Sequence, residues 1–172
     1  MNWFMLTLVG EDRPGIVARL TAALFEGGCN LGEATMARLG GNFSVMLMVQ
    51  HVGTLESLLA LVEPVARELG LHAHGDRIEG HLHRHLIPDV RVTVYGADRA
   101  GIVAQVTGAL SAVGFNILDL QSDVGGSEAR PLYIMTMEGQ ARDGIEAIEA
   151  ALAPLARDGI EVDVQPIETL IG

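Results

Sequence analysis

The chain has 172 residues, 49% of them hydrophobic and 19% charged, which excludes a disordered chain and allows one medium core or two small ones. With 11 Lys and Arg against 22 Asp and Glu, a net charge of −11, direct nucleic-acid binding and docking on an anionic membrane are disfavoured, because both need clustered cations. The single cysteine, Cys29, excludes an intrachain disulfide and fits a reducing compartment.

The opening MNWFMLTLVG lacks the basic region and cleavage site of a signal peptide. No uncharged run approaches the ~18 residues of a membrane span, so a cytoplasmic location is expected. In that opening, Phe4, Leu6 and Leu8 alternate with Met5, Thr7 and Val9, which predicts a strand. Ile16, Val17, Leu20, Ala23 and Leu24 then recur at helical spacing, and Gly27-Gly28 supplies the left-handed stop. A second strand is predicted at Asn30 to Arg38, a turn at Gly40-Gly41-Asn42, and a third strand at Phe43 to Val49. A second helix carries Leu55, Leu58, Leu59, Val62, Val65 and Leu69, and a fourth strand runs from Leu71 to Ile78.

After a linker at 80–89, the order starts again. Val90, Val92 and Val94 form the strand; Ile102, Val103, Val106, Ala109 and Leu110 the helix, ending at Gly114; Asn116 to Val124 the second strand. Gly125 to Arg130 is the expected loop, followed by a strand at Leu132 to Glu138, a helix with Ile145, Ile148, Leu152 and Leu155, and a strand at Ile160 to Ile167. Residues Gly10 to Leu31 and Gly96 to Ile117, offset by 86, share 12 of 22 positions. The chain is a duplication, with modules at 1–79 and 90–172.

Strand–helix–strand–strand–helix–strand with two right-handed crossovers defines an α+β fold. Each module is a ferredoxin-like four-stranded antiparallel sheet with two helices on one face. Both alternating sets of the third strand are apolar, Phe43, Val45 and Leu47 against Met46 and Met48. With Met135 and Met137 aligned to the second set and three extra residues in the second hairpin, the other sheet face is expected to be covered too, by the sister module or another chain.

The loop GEDRPGIV, repeated as GADRAGIV, ends at a helix N-terminus, where free N–H groups and the peptide dipole stabilise an anion. Gly10, Gly15, Gly96 and Gly101 leave the backbone accessible; Asp12 and Asp98 suit an ammonium group. Together they fit a zwitterionic amino acid. Each residue also has a plainer role: Asp12 and Asp98 as N-caps with Pro14 in the first turn, the glycines as turn residues, Asn30 and Asn116 as left-handed turn residues, Arg13 and Arg99 as solvated or acid-paired cations. Cys29 aligns with Phe115 and reads as a core filler.

These motifs, each followed by a helix and a Gly-x-Asn turn, resemble ACT regulatory domains. The tandem arrangement, with GGCNLGEATMARLGGNFSVMLM in the first copy, is similar to the glycine cleavage system transcriptional repressor group over essentially the whole chain. The resemblance implies a small amino acid, glycine or serine first, held at an interface between modules, and regulation through a partner DNA-binding protein; a homodimer is left open. The implied ligand positions are Gly10, Asp12, Arg13, Pro14, Gly15, Ile16 and Asn30, with Gly96, Asp98, Arg99, Gly101, Ile102 and Asn116 in the second copy. Ala100 in place of Pro14 relaxes the second loop and implies a weaker or structural second site.

Two rivals remain. The linker histidines His81, His83 and His85, with His72 and His74 upstream, suggest a metal site, but no acid or cysteine stands at ligand spacing. An enzyme is disfavoured: no hydrolase, zinc-protease or phosphate-loop motif and no paired Cys/His suggesting a nucleophile is visible, and no cofactor is implied. A structural module without ligand is the blander alternative.

Overall fold

The alternating N-terminal run forms β1 (Asn2–Glu11) in a computed structural model that describes residues 1–79, 86–97, 101–127 and 130–168. The chain divides into two units within the 80–89 segment. The first unit continues with α1 (Ile16–Glu26), β2 (Asn30–Leu39), β3 (Asn42–His51), α2 (Leu55–Leu69) and β4 (Leu71–Ile78). The second contains β5 (Val90–Ala97), α3 (Ile102–Ala112), β6 (Phe115–Ser127), β7 (Arg130–Ala141), α4 (Ile145–Leu152), a 3-10 turn at Ala153–Asp158 and β8 (Glu161–Pro166). The sheets have strand orders β2-β3-β1-β4 and β6-β7-β5-β8, antiparallel throughout.

Phe4, Leu6 and Leu8 of β1 pack in one cluster with Ile16, Leu20 and Leu24 of α1 and with Leu58, Val62 and Leu69 of α2. Both helices therefore cover one sheet face. In the second unit Val90, Val92 and Val94 meet Ile102, Val106 and Leu110 of α3 and Ile148 and Leu152 of α4. Each fully buried Leu or Ile contributes about 1.5–3 kcal/mol through removal from water, so the apolar stripes of helix and strand must face each other. Thr54 caps α2 by accepting the Ser57 N–H, and the helix continues through Pro64. The matching Pro154 stands where α4 has given way to the 3-10 turn.

The second hairpin corrects the sequence reading twice. Beyond an irregularity at Ile117/Asp119, β6 and β7 stay paired out to Ser127↔Arg130, through residues expected to be loop; Gly125 and Gly126 interrupt no ladder hydrogen bond merely by lacking a side chain. The register also shows that Leu6 faces Leu47 while Val92 faces Met137, so the shift between copies is 86 residues before the hairpin and 90 after it. Four residues are added, not three. Met135 and Met137 are thus equivalents of Val45 and Leu47, and both are wholly buried under the helices. A one-residue slip moves a whole strand's side chains to the other face.

The apolar outer face is consequently a property of the first sheet alone. There Trp3, Met5, Met46 and Met48 lie on alternating positions away from the helices, beside Gln50 and Ser44. On the second sheet the equivalent positions are Arg91, Thr93, Tyr95, Ile134, Thr136 and Glu138, with Arg91 bound to Glu138 at 2.6 Å.

Candidate functional site

α1 starts on Gly15, which sits in the left-handed region at φ 87° and receives no side-chain cap. Asp12 is therefore not the N-cap, and Pro14 stands outside the first turn rather than within it. The first helix-type bond runs from the Arg19 N–H to the Gly15 carbonyl at 3.0 Å. Among the described residues no side chain accepts from the amides of Ile16, Val17 and Ala18, and no acidic side chain occupies the first turn. The donors and the positive end of the dipole are left without a side-chain partner.

The same start is repeated in the second unit. Gly101 is left-handed at φ 90° and uncapped, and Gln105 N–H reaches its carbonyl at 3.0 Å. Asp98, Arg99 and Ala100 lie outside the described residues, as do His81, His83 and His85. The Ile16 and Ile102 side chains are buried in their cores, so only their amides can serve a ligand.

Gly10 has a different function from Gly15. A Cβ on Gly10 would stand 2.7 Å from both the Gly70 carbonyl oxygen and a Leu71 methyl, so glycine is required for the approach of β4. A Cβ on Gly15 would meet nothing within 4 Å; there the backbone angle demands glycine. Gly96 has a milder version of the first constraint, with the Ile102 methyl 3.1 Å from an added Cβ.

The charged loop residues are paired. Arg13 binds Glu11 at 2.7 Å, and this hydrogen bond holds the Glu11 carboxyl below the usual carboxylate range. Asp12 Oδ2 lies 2.6 Å from Arg38 Nε, and the Asp12 N–H donates to the Gly41 carbonyl at 3.1 Å. The loop is thereby pinned to the β2–β3 hairpin. Arg38 was not a sequence candidate: it sits in a run of exposed strand residues 26 positions away, and only the tertiary fold brings it to Asp12.

Asn30 does not join this group within its own sheet. It pairs across to Gln50, which faces Trp3, whereas Gly10 faces Phe43 at the other end of β1. Seven residues of strand at about 3.3 Å each separate the two levels. Asn30 Nδ2 donates to Gln50 Oε1 at 3.4 Å, and Asn116 stands in register with Gln140. Neither has the left-handed backbone expected of a turn residue, since every positive φ belongs to glycine among the described residues.

One cluster escaped the sequence reading. Cys29 Sγ is 3.4 Å from His51 Nδ1, and His51 Nε2 is 2.9 Å from Ser57 Oγ. Ser57 donates its only hydroxyl proton to the Thr54 carbonyl at 2.8 Å. It must then accept from His51 Nε2–H, which leaves Nδ1 to accept the Cys29 thiol proton. Cys29 and His51 are thus paired. Both are buried, and burial pushes the thiol pKa up, the opposite of an activated nucleophile. The chain of bonds ties the end of β3 to the start of α2. Phe115 and Ala141, which face each other, replace this pair in the second unit.

Among the described residues no group of three or more His, Cys, Asp or Glu side chains is placed to hold a metal, and no helix is long and apolar enough to cross a membrane.

An uncapped helix start behind a Gly-x-Asp-Arg loop, twice in a βαββαβ duplication, defines a class. Models of the ACT domain match residues 2–75 and 90–157, and the chain belongs to the ACT-domain family. It is similar to the glycine cleavage system transcriptional repressor of Escherichia coli (strain K12), 26% identical over 162 residues that cover 91% of this chain and 85% of the relative. The protein of the same name from Shigella flexneri matches equally. Among solved structures, an unknown protein from Galdieria sulphuraria superposes with a TM-score of 0.78 at 24% identity, covering 97% of this chain and 99% of that one. Another, whose description also names a glycine cleavage system transcriptional repressor, gives 0.68 at 20% identity over 98% of both chains. Both confirm the fold along the whole length.

Proposed function

We propose that the chain is a regulatory rather than catalytic protein, that it binds a small amino acid at the β1–α1 loop, and that the bound state alters its affinity for a partner transcription factor in the cytoplasm. The observation that carries this reading is the bare start of α1. A helix start without a side-chain cap behind a left-handed glycine suits a carboxylate, and the adjacent Asp12 suits an ammonium. Gly10, Gly15 and Ile16 shape the loop; Gly96, Gly101 and Ile102 repeat it. Glycine is the first ligand to test and serine the second, in keeping with the names of the curated relatives. The acidic composition, −11 overall, supports action through a protein partner instead of on DNA.

Thermal unfolding of the full chain in the presence of each of the twenty amino acids tests the reading. A ligand at a hundred times its Kd stabilises by about 2.7 kcal/mol, so glycine or serine is expected to raise the Tm by several degrees. Asp12→Asn should remove most of that rise. No shift with any of the twenty would overturn the proposal. Gly15→Val is a poor probe, because a β-branched residue at a φ of 87° is strained whatever it does to a ligand.

A further inference from the structure

The first loop makes one contact that neither composition nor motif reveals. Asp12, the carboxylate placed to receive an ammonium, already holds a cation: Arg38 Nε at 2.6 Å. Arg13, its neighbour in the motif, is engaged by Glu11 and does not compete for it. Arg38 stands opposite Phe43, the residue facing Gly10. In the second unit Gly96 faces Tyr133, and opposite Tyr133 stands Val124. The fold therefore places valine where the first unit has its arginine.

We propose that Arg38 is a built-in competitor for the ligand's ammonium group, holding the first site partly closed, whereas the second unit has valine at the matching strand position. The inference rests on the reading that an amino acid binds beside Asp12. A guanidinium and an ammonium cannot both neutralise one carboxylate at full strength, so binding must displace Arg38 or share Asp12 with it. The lock is weak enough to open. The Arg38 side chain is 68% exposed and that of Asp12 26%, and exposed pairs of this kind contribute little. The main-chain bond from Asp12 to Gly41 keeps the loop in place when the side chains part. The consequence is a first site whose threshold is set by one residue on β2.

Isothermal titration of the full chain with glycine and with serine, at low ionic strength, provides the test. Arg38→Val, which copies the second unit, is expected to bind about 1.5-fold to fivefold tighter than the wild type, the range that loss of an exposed ion pair allows. Arg38→Lys keeps the charge and should stay near the wild type. Thermal unfolding without ligand checks that the variants are folded. If the wild type binds and Arg38→Val binds no tighter, or if Arg38→Lys tightens equally, the lock is overturned while the amino-acid site stands. If neither the wild type nor Arg38→Val binds either amino acid, both the lock and the site are overturned. Binding by Arg38→Val alone supports the lock in its strongest form.

Discussion

Glycines of one loop serve opposite physical needs. Gly10 is held by space, because a methyl group there would collide with the Gly70 carbonyl and Leu71. Gly10→Ala is expected to destabilise the first unit by about 1–3 kcal/mol through overpacking, read as a lower urea midpoint without change of slope. Gly15 is held by its backbone angle alone. The charged residues show the same division between what a motif suggests and what neighbours decide. Asp12 has the right type and position for a cap, but its carboxylate turns to Arg38, and the cap position falls to Gly15. No local rule could find that partner, since the ladder of β2 against β3 brings it there.

At the level of strands, register outweighs alignment. A repeat of methionines invited the pairing of Met46 with Met135, and the hairpin's fourth extra residue moved them to opposite faces. The difference is measurable. Met137→Ala should cost about 2–5 kcal/mol, as large-to-small changes in a closed core do, whereas Met46→Ala, at a residue 42% exposed, should cost well under 1 kcal/mol. Equal losses in chemical denaturation would contradict the register. Helix ends were easier to foresee: Gly28 and Gly114 take the left-handed conformation at the ends of α1 and α3, as expected from glycine's lack of a Cβ. The Cys29–His51–Ser57 link was not legible, because its members come from a loop, a strand and a helix that are apart in sequence and none carries a recognisable spacing.

Over the whole molecule, charge and duplication set the terms of function. A chain with twice as many acids as bases repels a duplex, so the isolated chain should not retard DNA in a gel shift at about 0.15 M salt. Retention of DNA in the absence of a partner would reverse the functional reading. Duplication permits two sites of one ancestry to diverge, and Arg38 against Val124 is where the described structure shows that divergence.

Sequence alone determined the α+β class, the duplication, the order of elements and the loop in which a ligand is sought. These follow from short-range causes: apolar period, glycine conformations and the repetition of one motif. Tertiary structure decided which face each methionine takes, where Asp12 spends its charge, how Cys29 is paired, and that Asn30 lies a strand's length from the loop. Those depend on register and on approach between distant segments, where a shift of one residue reverses the outcome while leaving every local preference intact.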